Sequence, residues 1–149
     1  MTQPTVLHTQ GTKFQRGALV SEVLTWTQIA LMKDIKPADK SRSTIDVTTI
    51  DQYDGADPDK YKYFEGGLIE SGNVELDMIF DPTSSNQRLL EDDIESDTPI
   101  DYRILYIDGS YRQFKGIVTS VAPSGAMDDV NRQTVSIKVT GKSDYTPAE

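Results

Sequence analysis

Between Gly72-Asn73 and Asp81-Pro82 the chain alternates apolar and polar positions: Val74, Leu76, Met78 and Phe80 are interleaved with Glu75 and Asp77, and only Ile79 breaks the pattern. A period of two marks a half-buried strand with one apolar face. Turn residues open it, and a proline that cannot continue a central ladder closes it. Alternation recurs at Ile45, Val47 and Thr49 within 44–50, and at Val135, Ile137 and Val139 within 134–140. Residues 24–35 hold Trp26, Ile29, Leu31 and Ile35 with few breakers, which predicts one strand or two with Trp26 in the core. Residues 100–107 and 111–121 flank Asp108-Gly109, a tight hairpin signal; the returning segment places Phe114, Gly116 and Val118 on one face. One helix is predicted from Thr83 to Glu95: Pro82 suits its first turn, Asp81 or Thr83 can cap it, and Leu90 and Ile94 stand four apart. About seven short strands with one flanking helix predict a mainly β fold, a β-sandwich or barrel.

Four stretches lack such a pattern. Residues 1–23 contain Pro4, Gly11 and Gly17, with Phe14 and Arg16 between the glycines. They are expected to form an extended N-terminal arm that docks on its own domain or on a neighbour. Lys36 to Ser43 is expected to be a polar loop. Residues 51–67 carry Tyr53, Tyr61, Tyr63 and Phe64 among aspartates and end in Gly66-Gly67. A structureless connection of that length is uncommon in a compact domain, and tyrosines on a polar loop mark contact surfaces. Residues 142–149 read as a loose tail. The 149 residues suit a single domain.

Charge sharpens this picture. The net charge is −9, distributed unevenly. Residues 1–45 are net +3, whereas 46–59 are net −5 through Asp46, Asp51, Asp54, Asp57 and Asp59. Residues 91–101 carry Glu91, Asp92, Asp93, Glu95, Asp97 and Asp101. Several of these acids sit toward the C-terminal end of the predicted helix, the unfavourable end for its dipole, which points to a role other than helix stability. An acidic chain is a poor grip for nucleic acid, whose binding rests on neutralised phosphates. With no cysteine, disulfides, thiolate metal sites and cysteine nucleophiles are excluded. The start of the chain does not look like a secretory signal, and no apolar run approaches the ~20 residues of a membrane helix.

No catalytic constellation is expected. The single histidine, His8, lies in the irregular arm, so a serine–histidine triad has no evident base. No phosphate-cradling glycine pattern follows a strand. An EF-hand loop aligned from Asp51 would need ligands where Tyr53 and Gly55 stand, and one aligned from Asp57 would need them at Tyr61 and Tyr63. Neither a metal nor a cofactor is therefore expected.

Gly11-Thr12-Lys13-Phe14-Gln15-Arg16-Gly17, Ile45-Asp46-Val47-Thr48 and Gly67-Leu68-Ile69-Glu70-Ser71-Gly72-Asn73-Val74, met in that order, resemble the major tail tube protein of long-tailed (siphovirus-type) bacteriophages. So do Asp81-Pro82 ahead of a helix, Gly116-Ile117-Val118-Thr119-Ser120 and Val135-Ser136-Ile137-Lys138-Val139-Thr140-Gly141. The resemblance implies a structural virion protein whose β-sandwich assembles into hexameric rings stacked as a tube, made in the host bacterial cytoplasm and residing in the virion tail. Its implied partners are further copies of itself, a tape measure protein, a tail terminator and baseplate or tip proteins; DNA passes through without specific binding, and no membrane is involved. On this reading Phe14, Arg16, Tyr53, Tyr61, Tyr63 and Phe64 make inter-subunit contacts. Asp51, Asp54, Asp57, Asp59, Glu91, Asp92 and Asp93 are candidates for an acidic lumen or interface. The rival readings are another tail component, such as a terminator or hub, and a β-sandwich that binds a small ligand or carbohydrate.

Overall fold

The computed structural model describes residues 10–49, 61–125 and 127–148. The chain is mainly β. Among the described residues nine strands run in the order β1 (Lys13–Val20), β2 (Val23–Ile29), β3 (Met32–Lys36), β4 (Lys40–Asp46), β5 (Phe64–Ser71), β6 (Asn73–Ile79), β7 (Ile100–Leu105), β8 (Tyr111–Ser124) and β9 (Arg132–Thr146). The helix α1 (Ser85–Asp93) lies between β6 and β7. Seven strands form one antiparallel sheet in the order β2-β1-β7-β8-β9-β6-β3, while β4 and β5 form a separate pair. Two units result: Met1–Asp39 with Ser71–Glu149, and Lys40–Glu70.

The strand order dictates the shape of the larger unit. The two ends of the seven-strand order, β2 and β3, are joined by Ala30 and Leu31 alone. In a flat sheet the outermost of seven strands would stand roughly 29 Å apart, from a spacing of about 4.8 Å. A two-residue connector reaches only about 10 Å. The sheet must therefore curl until its edges meet, and the core shows that it does. Ile29 from β2, with Met32 and Ile35 from β3, packs in the same cluster as Leu76 and Met78 of β6 and Phe14, Tyr102, Ile104 and Phe114 from the middle strands. The rings of Phe14, Tyr102 and Phe114 lie within 6.5 Å of one another, centroid to centroid. Gly116 keeps β8 close to β9, because a Cβ there would strike the Ile137 side chain.

The connector is strained and held from outside. Leu31 has φ 62°, a left-handed conformation costly for a leucine. Leu31 O accepts from Ile79 N at 3.0 Å. Gln87, only 1% exposed on α1, completes the closure. Its Nε2 donates to Ala30 O at 3.2 Å and Ile79 O at 2.9 Å, and its Oε1 accepts from Asp81 N at 2.9 Å. Leu90, three positions on, enters the core from the same helix face.

Several expectations hold and several are corrected. The strand opening at Asn73, the Asp108-Gly109 turn and the inward set Val135, Ile137 and Val139 are as the alternation predicts. The helix is capped by Ser84, which accepts from Gln87 N, and not by Asp81 or Thr83; Asp81 instead accepts from Thr83 within the preceding turn. Ile94 is the C-cap and 44% exposed, so the apolar stripe is narrower than expected. The N-terminal arm is ordinary sheet from Lys13 onward, with β1 between β2 and β7. The polar loop expected up to Ser43 contains the start of β4. Trp26 is half-buried under the Arg103 guanidinium, 4.5 Å from the ring centroid, rather than in the core. The tail expected to be loose continues β9 to Thr146, paired with Tyr111 and with Tyr145 beside Arg112. It passes Gly141, whose φ of 77° lies at the register shift opposite Gln113 to Lys115.

A Gln87→Leu substitution keeps the bulk but strands two carbonyls and one N–H. It should lower the stability of the monomer by about 3 kcal/mol or more, at 1–3 for each of the three groups left unpaired, measured by urea unfolding.

Candidate assembly interface

The β4–β5 ribbon is the most unusual surface of the chain. Val47 N donates to Tyr63 O at 2.9 Å, and Arg42 Nε donates to Gly67 O at 2.9 Å, so the strands run antiparallel. Thr48 Oγ1 accepts from Tyr63 N at 2.9 Å and closes the open end. The Arg42 guanidinium lies where a Cβ on Gly66 would fall, and Ser43 Oγ stands 2.5 Å from one on Gly67. The glycine pair thus lets the arginine cross the ribbon flat against the backbone. No residue of β4 is buried, and β5 buries only its last, Ser71. Tyr61 is 79%, Leu68 91% and Ile69 63% exposed; Ile45, Val47, Tyr63 and Phe64 are exposed too. A two-stranded ribbon is marginal in water on its own, and exposed apolar groups grouped on one element mark an interaction surface.

A second apolar feature is the β1–β2 hairpin tip. Val20 pairs with Val23, leaving Ser21 and Glu22 as a two-residue turn with φ 51° and 67°. Both central residues are left-handed, as a type I′ turn demands, though neither is the usual asparagine or glycine. Leu19, Val20 and Val23 around it are exposed.

The residues expected at interfaces divide into three groups. Tyr61, Tyr63, Phe64, Glu91 and Asp92 are exposed. Tyr53, Asp51, Asp54, Asp57 and Asp59 lie outside the described residues, as does His8. Phe14 and Asp93 are buried, and the expectation is corrected for them; Arg16 is half-buried and paired within the chain. Phe14 is fully buried, so its ring has no face left for a neighbour. Asp93 is 5% exposed and takes a two-pronged contact from Arg16, Nε to Oδ2 at 2.7 Å and Nη2 to Oδ1 at 2.8 Å. Tyr102 Oη donates to the same Oδ2 at 2.8 Å. The pair holds the C-terminal end of α1 to β1 and β7. Burial, followed by the negative charge of Asp93 and its hydrogen bond, holds the Tyr102 phenol well above its ordinary value, and Asp93 likewise raises Arg16.

Sequence reasoning missed Leu68, Ile69, Leu19, Val20 and Val23. One signal was available: adjacent apolar residues on a strand point to opposite faces, so Leu68-Ile69 cannot both meet one core. Among the described residues, no cluster of acidic or histidine side chains could hold a metal, and no helix is long and apolar enough to cross a membrane.

A family model described as the lambda phage tail tube protein matches residues 6–146. No curated protein sequence matches the chain. Solved structures share its fold at low identity. The tail of an empty gene transfer agent particle with C6 symmetry superposes with a TM-score of 0.70 at 12% identity, covering 95% of this chain and all of that one. The SPP1 tail tube gives 0.69 at 10% identity, covering 97% and 81%. The sheath/tube terminator of an extracellular contractile injection system gives 0.71 at 13% identity, covering 98% and 100%.

The Asp93 network yields two expected outcomes. Asp93→Ala leaves the Arg16 guanidinium, its side chain 18% exposed, without its counter-charge, and should cost about 3 kcal/mol in chemical unfolding. A raised folded pKa means that the stability Tyr102 contributes is complete below the phenol's unfolded value of about 10 and is lost as pH rises above it. Melting curves above pH ~10 should therefore fall less steeply for Tyr102→Phe than for the parent chain, while the variant loses about 1 kcal/mol near neutrality.

Proposed function

The chain belongs to the lambda phage tail tube protein family, a structural family and not an enzymatic one, and from that premise we propose that it assembles into hexameric rings stacked as the hollow tube of a virion tail. The observation that carries this reading is the β4–β5 ribbon, which exposes Phe64, Leu68 and Ile69 while burying almost nothing of its own. These side chains are exposed, which makes them available to a neighbouring copy. Burying a leucine or isoleucine contributes about 1.5–3 kcal/mol. The same contact repeats in every subunit of a ring, so modest contacts add up to avid assembly.

The proposed partners follow from the same reading: other copies first, then a tape measure protein within the tube, a terminator at one end and baseplate or tip proteins at the other. The fold likeness to a terminator, and to a baseplate and cap of an anti-feeding prophage, supports end partners of related architecture. Synthesis is proposed in the host bacterial cytoplasm. DNA passes through without being held, and the net charge of −9 supports this, because like charges repel the phosphates. Glu91 and Asp92 remain candidates for that acidic surface; Asp93 does not, since it is paired internally.

Electron microscopy of the concentrated protein, alone and with tail extract as nucleator, should show rings or tubes, and the protein should be abundant in virions as a terminator is not. Leu68→Ser with Ile69→Ser should leave the fold intact and raise the concentration needed for assembly by about tenfold or more, the equivalent of ~1.4 kcal/mol. Persistent monomers under both conditions contradict the proposal.

A further inference from the structure

The C-terminal half of α1 borders a cleft of about 270 Å³ lined by Phe80, Glu91, Ile94, Val121, Pro123 and Gln133. Its walls are apolar. Gln133 on β9 is 2% exposed, yet its Oε1 has no hydrogen-bond partner. A buried carbonyl oxygen left without a donor costs free energy that a donor entering the cleft would recover. Glu91 adds a carboxylate to the lining, and Asp92 and Glu95 are exposed close by in the chain. The last turn of α1 contains no basic residue, and among the described residues none of these three acids forms an ion pair. The helix C-terminus, itself partially negative, adds to the same field. Apolar walls, one unpaired acceptor and concentrated negative potential together specify a long aliphatic chain tipped with a cationic donor. Lysine has that form: a stem that buries on apolar surface and three N–H donors at its end.

The source of the lysine follows from charge complementarity. Residues 1–45 carry a net charge of +3, with Lys33 and Lys36 exposed, while residues 91–101 are strongly acidic. One chain therefore offers both halves of a head-to-tail contact. We propose that a lysine of a second copy seats in this cleft, its methylenes against Phe80, Ile94, Val121 and Pro123 and its ammonium between the Gln133 amide oxygen and the Glu91 carboxylate. The proposal rests on the tube reading above and adds to it a specific polar contact on the larger unit.

Carbodiimide coupling, which joins a carboxylate to an adjacent amine, tests it on tubes assembled from an equal mixture of unlabelled and heavy-isotope-labelled chain. The expected result is a mixed-isotope peptide joining Glu91 to a lysine. Glu91→Gln, on an exposed position, should melt like the parent, lose that peptide and assemble about tenfold more slowly. Tubes that form without an inter-copy Glu91 crosslink, or a Glu91→Gln variant that assembles at the parental rate, overturn this inference and leave the tube reading standing. A Glu91 crosslink found only in whole virions, and to a different tail protein, assigns the cleft elsewhere and also overturns it. Failure to form tubes at all removes both.

Discussion

The Ala30-Leu31 connector is the constraint on which the larger unit depends. It forces the first and last strands of a seven-strand order to meet, and the sheet has to curl around whatever lies between. Closing a sheet this way usually requires strand-to-strand hydrogen bonds at the join. Here part of that work falls to a helix. Gln87 satisfies one carbonyl from the connector and another from the end of β6, and a second buried polar group of α1, Asp93, clamps β1 and β7 through Arg16 and Tyr102. The acids at the unfavourable end of this helix thus divide by function. One is consumed inside the fold, and the others remain outside as unpaired charge.

That internal closure has a consequence for assembly. The seven-strand unit has a core of its own, with Phe14, Tyr102, Phe114 and the aliphatic side chains of β6 and β9 buried together. The β4–β5 ribbon does the opposite. Its backbone is paired and its crossing arginine is seated on a glycine pair, while its apolar side chains are left to solvent. Division of labour between a self-sufficient body and an unsatisfied ribbon is what a subunit needs if it must stay soluble before it polymerises.

Much of the body could be read in the sequence because alternation and burial coincide there: β6, the β7–β8 hairpin and β9 each present one apolar face to one core. The failures share a physical cause. Phe14 and Arg16 fall on the same face of β1, and an arginine beside a phenylalanine hides a core strand. Its neutralising partner lies 77 residues away, a distance over which sequence pattern is silent. Asp93 could not be told from Asp92 or Glu91, because only the packed orientation of α1 decides which acid turns inward. In β4 and β5 the alternation of Ile45 with Val47 implied burial, whereas both are exposed in the single chain. Apolar pattern there does not report a core within the chain.

Hydrogen exchange at the backbone amides of β4 and β5, compared between monomer and assembled tube, tests this account most directly. Amides of the ribbon should exchange close to freely in the monomer, because little packing protects a two-stranded pair. In the tube they should become strongly protected, while those of β6 and β9 change little. Equal protection of the ribbon in both states would show that it is stable without a neighbour, and would contradict its role as the unsatisfied element that drives assembly.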